Sequence, residues 1–130
     1  MAERRMFNKS LMFSDAFTRL SRSAQLLYMY LGLMADDDGF MENAAATCRM
    51  CKCSRKHMQE LIDGGWLIEF DSGVAAITHW HRHNKIQKDR YKPTEHISER
   101  SLLERDTSGT YFRPDTICTQ DGYDLYTQDR

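Results

Sequence analysis

No stretch of this 130-residue chain holds the apolar run that a membrane-spanning helix needs. Its opening, MAERRMFNKS, also reads as lacking the apolar core of a secretory signal. The expected setting is a reducing cytoplasm, away from any membrane. Cysteines are few, four in all, and three of them crowd into CRMCKCSRKH at residues 48–57. In a reducing compartment they do not imply disulfides. Cys51 and Cys53 are also too close in sequence for an easy mutual bridge. Common catalytic signatures are missing: there is no G-x-x-x-x-G-K-[ST], no G-x-S-x-G and no H-E-x-x-H. Asp36, Asp37 and Asp38 form a dense carboxylate run, and paired carboxylates bind divalent ions in nucleases. Consecutive residues cannot all face one ion from a helix, however, and DDDG is a turn sequence. The chain reads as a non-enzyme that needs no cofactor.

What is present is the composition of an ordinary globular protein, 41% hydrophobic and 28% charged. The length suits one domain with a modest core. The net charge of −1 hides a pattern. Residues 1–93 carry 14 Lys and Arg against 11 Asp and Glu, whereas residues 94–130 carry 4 against 8. Residues 49–58 hold Arg49, Lys52, Arg55 and Lys56 with no acid. Residues 82–92 hold Arg82, Lys85, Lys88, Arg90 and Lys92 against Asp89 alone. Two basic blocks on a near-neutral body suggest a local anionic partner. The plainer reading is a pair of solvated faces.

Periodicity supplies the elements. Ser14 is placed to cap a short turn, SDAF. Residues 23–34 read as an amphipathic helix with Leu26, Leu27, Tyr30, Leu31 and Met34 on its apolar face. DDDG ends it. Asn43 caps a second, alanine-rich helix over about 43–51. Ser54 caps a third, SRKHMQELIDGG, whose inner face is Met58, Leu61 and Ile62 and whose end is Gly64 and Gly65. The period then changes: WLIEF and VAAITHW, joined by DSG at 71–73, read as a β-hairpin. A weak helix is expected from Thr94 to about Arg105. The stretch 106–130, poor in aliphatic residues and with TQD at 119–121 and 127–129, reads as a flexible acidic tail. Tyr111, Phe112, Tyr123 and Tyr126 are its few anchors. The expected division is 1–93 for the domain, 94–105 for a short helix or linker, and 106–130 for the tail.

Helix, helix, helix, hairpin is the plan of an α+β winged helix-turn-helix domain: three helices plus a β-hairpin wing, here with a C-terminal extension. In that plan the third helix enters the DNA major groove. Lys52 lies in the turn before it, and Arg55, Lys56 and Gln59 share one face of its first turns. Arg and Gln can make bidentate contacts with guanine and adenine edges, while Lys52 and Lys56 suit phosphates. The hairpin turn, with Glu69 and Asp71, is acidic, so the better additional phosphate contacts are Arg82, Lys85, Lys88, Arg90 and Lys92. The expected partner is double-stranded DNA. A homo-oligomer is expected too, since one short recognition helix gives limited affinity. Two alternatives stand beside this: a winged helix that binds proteins during replisome assembly, and a transcriptional regulator.

The cysteine cluster admits a second chemistry. Cys48, Cys51, Cys53 and His57 have ligand types and spacings compatible with zinc, but a second C-x₂-C or H-x₃-H knuckle is missing. Buried free thiols are the alternative. His79, His81 and His83 alternate, which on a strand would put them on one side. Protonated, they would strengthen nucleic-acid binding toward pH 6.

The residues MAERRMFNKS, ADDDGF (35–40), SGV (72–74), and HW followed by IQKDRYKPT (86–94) resemble, in order and spacing, the N-terminal domain of phage replisome organisers. These are replication-initiation proteins of phages and prophages of Gram-positive bacteria. The likeness covers about residues 1–105. It implies a DnaD-like winged-helix domain that binds replication-origin DNA in the cytoplasm of a bacterial host. A helicase or its loader is the further partner it implies, through a separate C-terminal region. Zinc is not part of the resemblance.

Overall fold

Short polar residues open most of the helices. In the computed structural model, which describes residues 3–114, Asn8 caps α1 (Lys9–Met12) and Ser14 caps α2 (Asp15–Thr18). Ser21 caps α3 (Arg22–Met34) and Asn43 caps α4 (Ala44–Met50). Each side-chain oxygen accepts the backbone N–H three residues on, which satisfies one of the helix's orphan donors. α5 (Arg55–Asp63) starts at Ser54, whose N–H donates to His57 Nδ1 at 3.1 Å. It ends at Gly64, followed by Gly65 at φ 80°.

The chain is mixed α and β, with small antiparallel sheets. β2 (Leu67–Glu69) and β3 (Ala75–Ile77) form the expected hairpin, pairing Leu67 with Ile77 and Glu69 with Ala75. The two-residue strand β1 (Phe40–Met41) pairs with β3 on its other side, giving the order β1-β3-β2. β1 leaves no sequence signal, since two residues after a turn carry no period. β3 is followed by α6 (Trp80–His83) and later by α7 (Ile97–Arg100). β4 (Glu104–Arg105) and β5 (Tyr111–Phe112) make a second hairpin.

α3 is the central element, packed on α4 and α5. Its buried face is Ala24, Leu27, Tyr28, Leu31 and Gly32. This corrects the expected face, since Leu26, Tyr30 and Met34 are 40–46% exposed. Small residues decide it. A Cβ on Gly32 would stand 3.0 Å from the Phe7 ring, so glycine there lets that ring sit close against α3. Tyr28 turns inward because its hydroxyl has a partner, His83 Nε2 at 2.7 Å. Phe17, Tyr28 and Trp66 meet edge to face over it. Each fully buried leucine, such as Leu27 and Leu31, contributes about 2 kcal/mol.

Two further expectations change. The helix expected from Thr94 to Arg105 shrinks to α7, because Leu103 turns into the core and residues 104–105 pair as a strand. Residues 106–112 are not a flexible stretch. Asp106 Oδ1 accepts Ser108 and Thr110 N–H and closes the turn. Tyr111 is 1% exposed, and its N–H donates to the Thr78 carbonyl at 2.8 Å. The part of the tail expectation that concerns 115–130 lies outside the described residues. Among the described residues no helix is long and apolar enough to cross a membrane.

Candidate nucleic-acid interface

Lys52, Arg55, Lys56, Gln59, Arg82, Lys85, Lys88, Arg90 and Lys92 are all exposed. Two separate patches hold most of them. Lys52 lies between α4 and α5, in a tight reversal. Lys52 N–H donates to Arg49 O at 3.1 Å, and Cys53 N–H donates to Cys48 O at 2.9 Å. This pair of bonds ends a helix with a left-handed residue, a place glycine usually takes. Here it is lysine, at φ 66°, the one non-glycine with positive φ among the described residues. An L side chain there costs roughly 1 kcal/mol.

On α5, Lys56 is exposed, but Arg55 is engaged. Its Nη1 and Nη2 donate to Glu69 Oε2 and Oε1 at 2.7 and 2.6 Å. Nη2 also reaches Gln59 Oε1 at 3.3 Å, and Gln59 Nε2 donates to Asp63 at 2.8 Å. The pairing holds the Glu69 carboxyl below its usual range and pushes the Arg55 guanidinium up. Glu60, on the same helix, accepts both the N–H and the hydroxyl of Ser21 at 2.7 Å and so ties α5 to the start of α3.

The second patch rims a groove of about 1020 Å³. Lys85, Arg90 and Lys92 stand on it, joined by Arg4 from the N-terminal segment, while Met41 and Met50 line it. Met50 ends α4, two residues before Lys52. What fixes this rim is the DDDG turn. Asp37 accepts Arg5 Nη1 at 3.1 Å and Lys92 N–H at 3.0 Å. Asp38, 7% exposed, accepts the Tyr91 hydroxyl on both oxygens and Thr94 N–H at 2.8 Å. Asp36 Oδ2 accepts the Thr94 hydroxyl at 2.5 Å. Burial, with Asp38 beside it, pushes the Tyr91 hydroxyl up to about 12. The carboxylates thus serve as acceptors for the segment 91–94.

The histidines are not phosphate contacts. His79, His81 and His83 lie at and within α6, not along a strand, so they part company. His79 faces Thr110, His81 Nε2 meets the Tyr111 hydroxyl, and His83 is buried. Burial lowers His79 and holds His81 and His83 down to about 4. For His83 the bonds add a reason. Asn8 N–H donates to Nδ1 at 2.7 Å, so the neutral ring carries its proton on Nε2 toward Tyr28. A proton on Nδ1 would set donor against donor. These three histidines therefore do not supply the expected gain in nucleic-acid affinity toward pH 6.

Stability carries the pH dependence instead. With the folded value depressed, the unfolded chain binds the extra proton between pH 6.5 and about 4. Stability is full above that window and is lost as pH falls through it. The loss expected for His83 is on the order of 2–3 kcal/mol at the acid end. Thermal melts of wild type and His83→Gln across the window check it; the variant's curve should be flatter.

Cys48, Cys51, Cys53 and His57 do not converge as zinc ligands. Cys48 Sγ donates to Ser54 O, Cys53 Sγ donates to Ser23 O, and His57 Nδ1 takes Ser54 N–H. Cys51 Sγ lies 3.5 Å from Cys53 Sγ, and burial pushes the Cys48 thiol up and the Cys53 thiol to about 11. Among the described residues no group of three or more His, Cys, Asp or Glu is placed to hold a metal ion.

Glu69 as the partner of Arg55, and Arg4 as part of the second patch, are not expected from the sequence. A glutamate two residues before a hairpin turn carries no signal of which helix it will face. No family model, curated protein or solved structure matches the chain.

Proposed function

We propose that this chain is a duplex-DNA-binding module of winged helix-turn-helix type, from a phage or prophage replication-initiation protein of the replisome-organiser kind. The element order α3, β1, α4, α5, β2, β3 supports the winged-helix reading, with the early strand beside the second hairpin strand. The observation that carries the function is Lys52. A lysine stands in a left-handed turn that would be more stable with glycine, beside the exposed, basic first turn of α5. Local strain retained at one cation has a natural account if that cation contacts a phosphate. Lys56 and the Lys85, Arg90 and Lys92 rim supply further phosphate contacts.

The test is a fluorescence-anisotropy titration of a labelled duplex across a salt series, with wild type and Lys52→Gly. The variant should be more stable by about 1 kcal/mol, from the relieved turn. It should nonetheless bind more weakly, with a log–log salt slope smaller by about 0.9. A stabilised variant with unchanged affinity and slope would remove Lys52 from the interface. Absence of salt-dependent binding by folded wild type would end the duplex reading.

A second reading rests on α3. Leu26, Met29, Tyr30 and Leu33 form a stripe at helical spacing, each 39–48% exposed. Such a face suits a protein partner in replisome assembly, and it is where a folded protein that ignores DNA would direct the search. A transcriptional regulator would use the same basic surface as the replication module. Origin sequence competed against unrelated duplex separates those two roles.

A further inference from the structure

The exposed face of α5 is bridged by one continuous chain of bonds, Glu69 to Arg55 to Gln59 to Asp63. Three consequences follow from its geometry. Both terminal nitrogens of Arg55 point at one carboxylate, so its fork cannot also grip a guanine edge or a phosphate side-on. The charge of Arg55 is cancelled by a group 2.6 Å away. The nearby cations in no salt bridge among the described residues include Arg49, Lys52 and Lys56.

Glu69 is itself held. It lies on β2 opposite Ala75, and its carbonyl accepts Arg113 Nη2 at 2.7 Å. The carboxylate is therefore presented to α5 by a paired strand, while Arg55 reaches it from the first helical position. The pair is half-exposed, with side chains 58% and 25% accessible, and pairs of that kind add little to stability. A contact that does little for the fold yet occupies the arginine best placed to meet DNA is suited to tuning affinity.

We propose that Glu69 is an affinity-setting residue, which masks Arg55 and keeps it from the duplex. This inference rests on the duplex-binding reading of the same face. Removing the carboxylate frees one cation. In the counterion-release relation one added phosphate contact steepens the salt slope by about 0.9, which is about tenfold in affinity near 0.1 M salt.

The experiment is a double-mutant cycle read by duplex anisotropy across a salt series: wild type, Arg55→Ala, Glu69→Gln and the double variant. Asp71→Asn is the control. It removes the same charge from an exposed position two residues along the hairpin, with no bond to Arg55. Glu69→Gln keeps shape and an acceptor oxygen, and equal melting temperatures verify that the set is folded. The expected result is about tenfold tighter binding and a steeper slope for Glu69→Gln. Arg55→Ala alone should change little, and in the Glu69→Gln background it should erase the gain. Equal loss from Arg55→Ala in both backgrounds would overturn the proposal. An equal gain from Asp71→Asn would do so as well, leaving general electrostatics as the cause. If none of the five proteins binds the duplex, the functional reading itself fails, and the masking role falls with it.

Discussion

Gly39→Ala is expected to lower the melting temperature by roughly 15 °C, equivalent to about 4 kcal/mol. Two costs combine at this position. Its φ is 90°, a region that L residues rarely adopt. A Cβ placed there would lie 2.5, 2.7 and 2.9 Å from Cγ, Cβ and Cδ2 of Trp80. The indole cannot retreat: it is 1% exposed, its Nε1–H donates to Asp37 O at 2.9 Å, and the Arg5 guanidinium lies 5.1 Å from the ring centre. Nor can the turn shift freely, since Gly39 O accepts Ile77 N–H and joins the turn to β3. Gly73 separates the two costs. It has the same φ of 90°, but a Cβ there meets nothing within 4 Å. Gly73→Ala should cost only about 1 kcal/mol, from the backbone alone. Melts of the two variants side by side check the argument. A similar loss in both would mean that the Trp80 contact adds nothing.

Asp38→Ala is expected to cost about 3 kcal/mol and to release the segment 91–94. The carboxylate holds the Tyr91 hydroxyl at 2.7 and 2.8 Å and Thr94 N–H at 2.8 Å. Hydrogen bonds to a charged acceptor are among the stronger ones, and the Thr94 N–H would be left buried without a partner. Denaturant melts give the global loss, and limited trypsin digestion gives the local one, as faster cleavage after Arg90. The variant also discriminates between two accounts of DNA affinity. It makes the protein more positive by one charge, so net charge alone predicts tighter binding. If the ordered placement of Arg90 and Lys92 matters, binding should weaken instead.

Much of the helical framework was legible because each start carries its own chemistry. Ser14, Asn43, Ser54 and the Gly64–Gly65 end stand where the sequence placed them. So does the hairpin around residues 71–73, because a tight turn between β-rich runs is a local signal. What failed depended on distant partners. The buried face of α3 was chosen by Phe7 and His83, which are 25 and 51 residues from Gly32 in sequence. The three alternating histidines looked like a strand because their period was read without the turn at Thr78 and His79 that ends β3. At the candidate site, the exposure of the nine residues was legible, since charge at helix starts and in polar loops stays in water. The pairing of Arg55 with Glu69 was not, because it needs the position of β2 beside α5.

The DDDG turn also sets an order of events in time. It emerges early when the chain is made, yet Asp38 finds its partners 53, 56 and 73 residues later, in Tyr91, Thr94 and Tyr111. Chains grow from the N-terminus, and contacts across such separations close only after most of the loop entropy has been spent. During synthesis Asp37 has Arg5 already made as a partner, whereas Asp38 waits for its side-chain partners beside a half-built core. α3 can form at once, whereas the packing of Phe40 and the Asp38 carbonyl waits for Tyr111 of the last described hairpin. The turn acts as a late closure, completed when Tyr91, Thr94 and Tyr111 return to it.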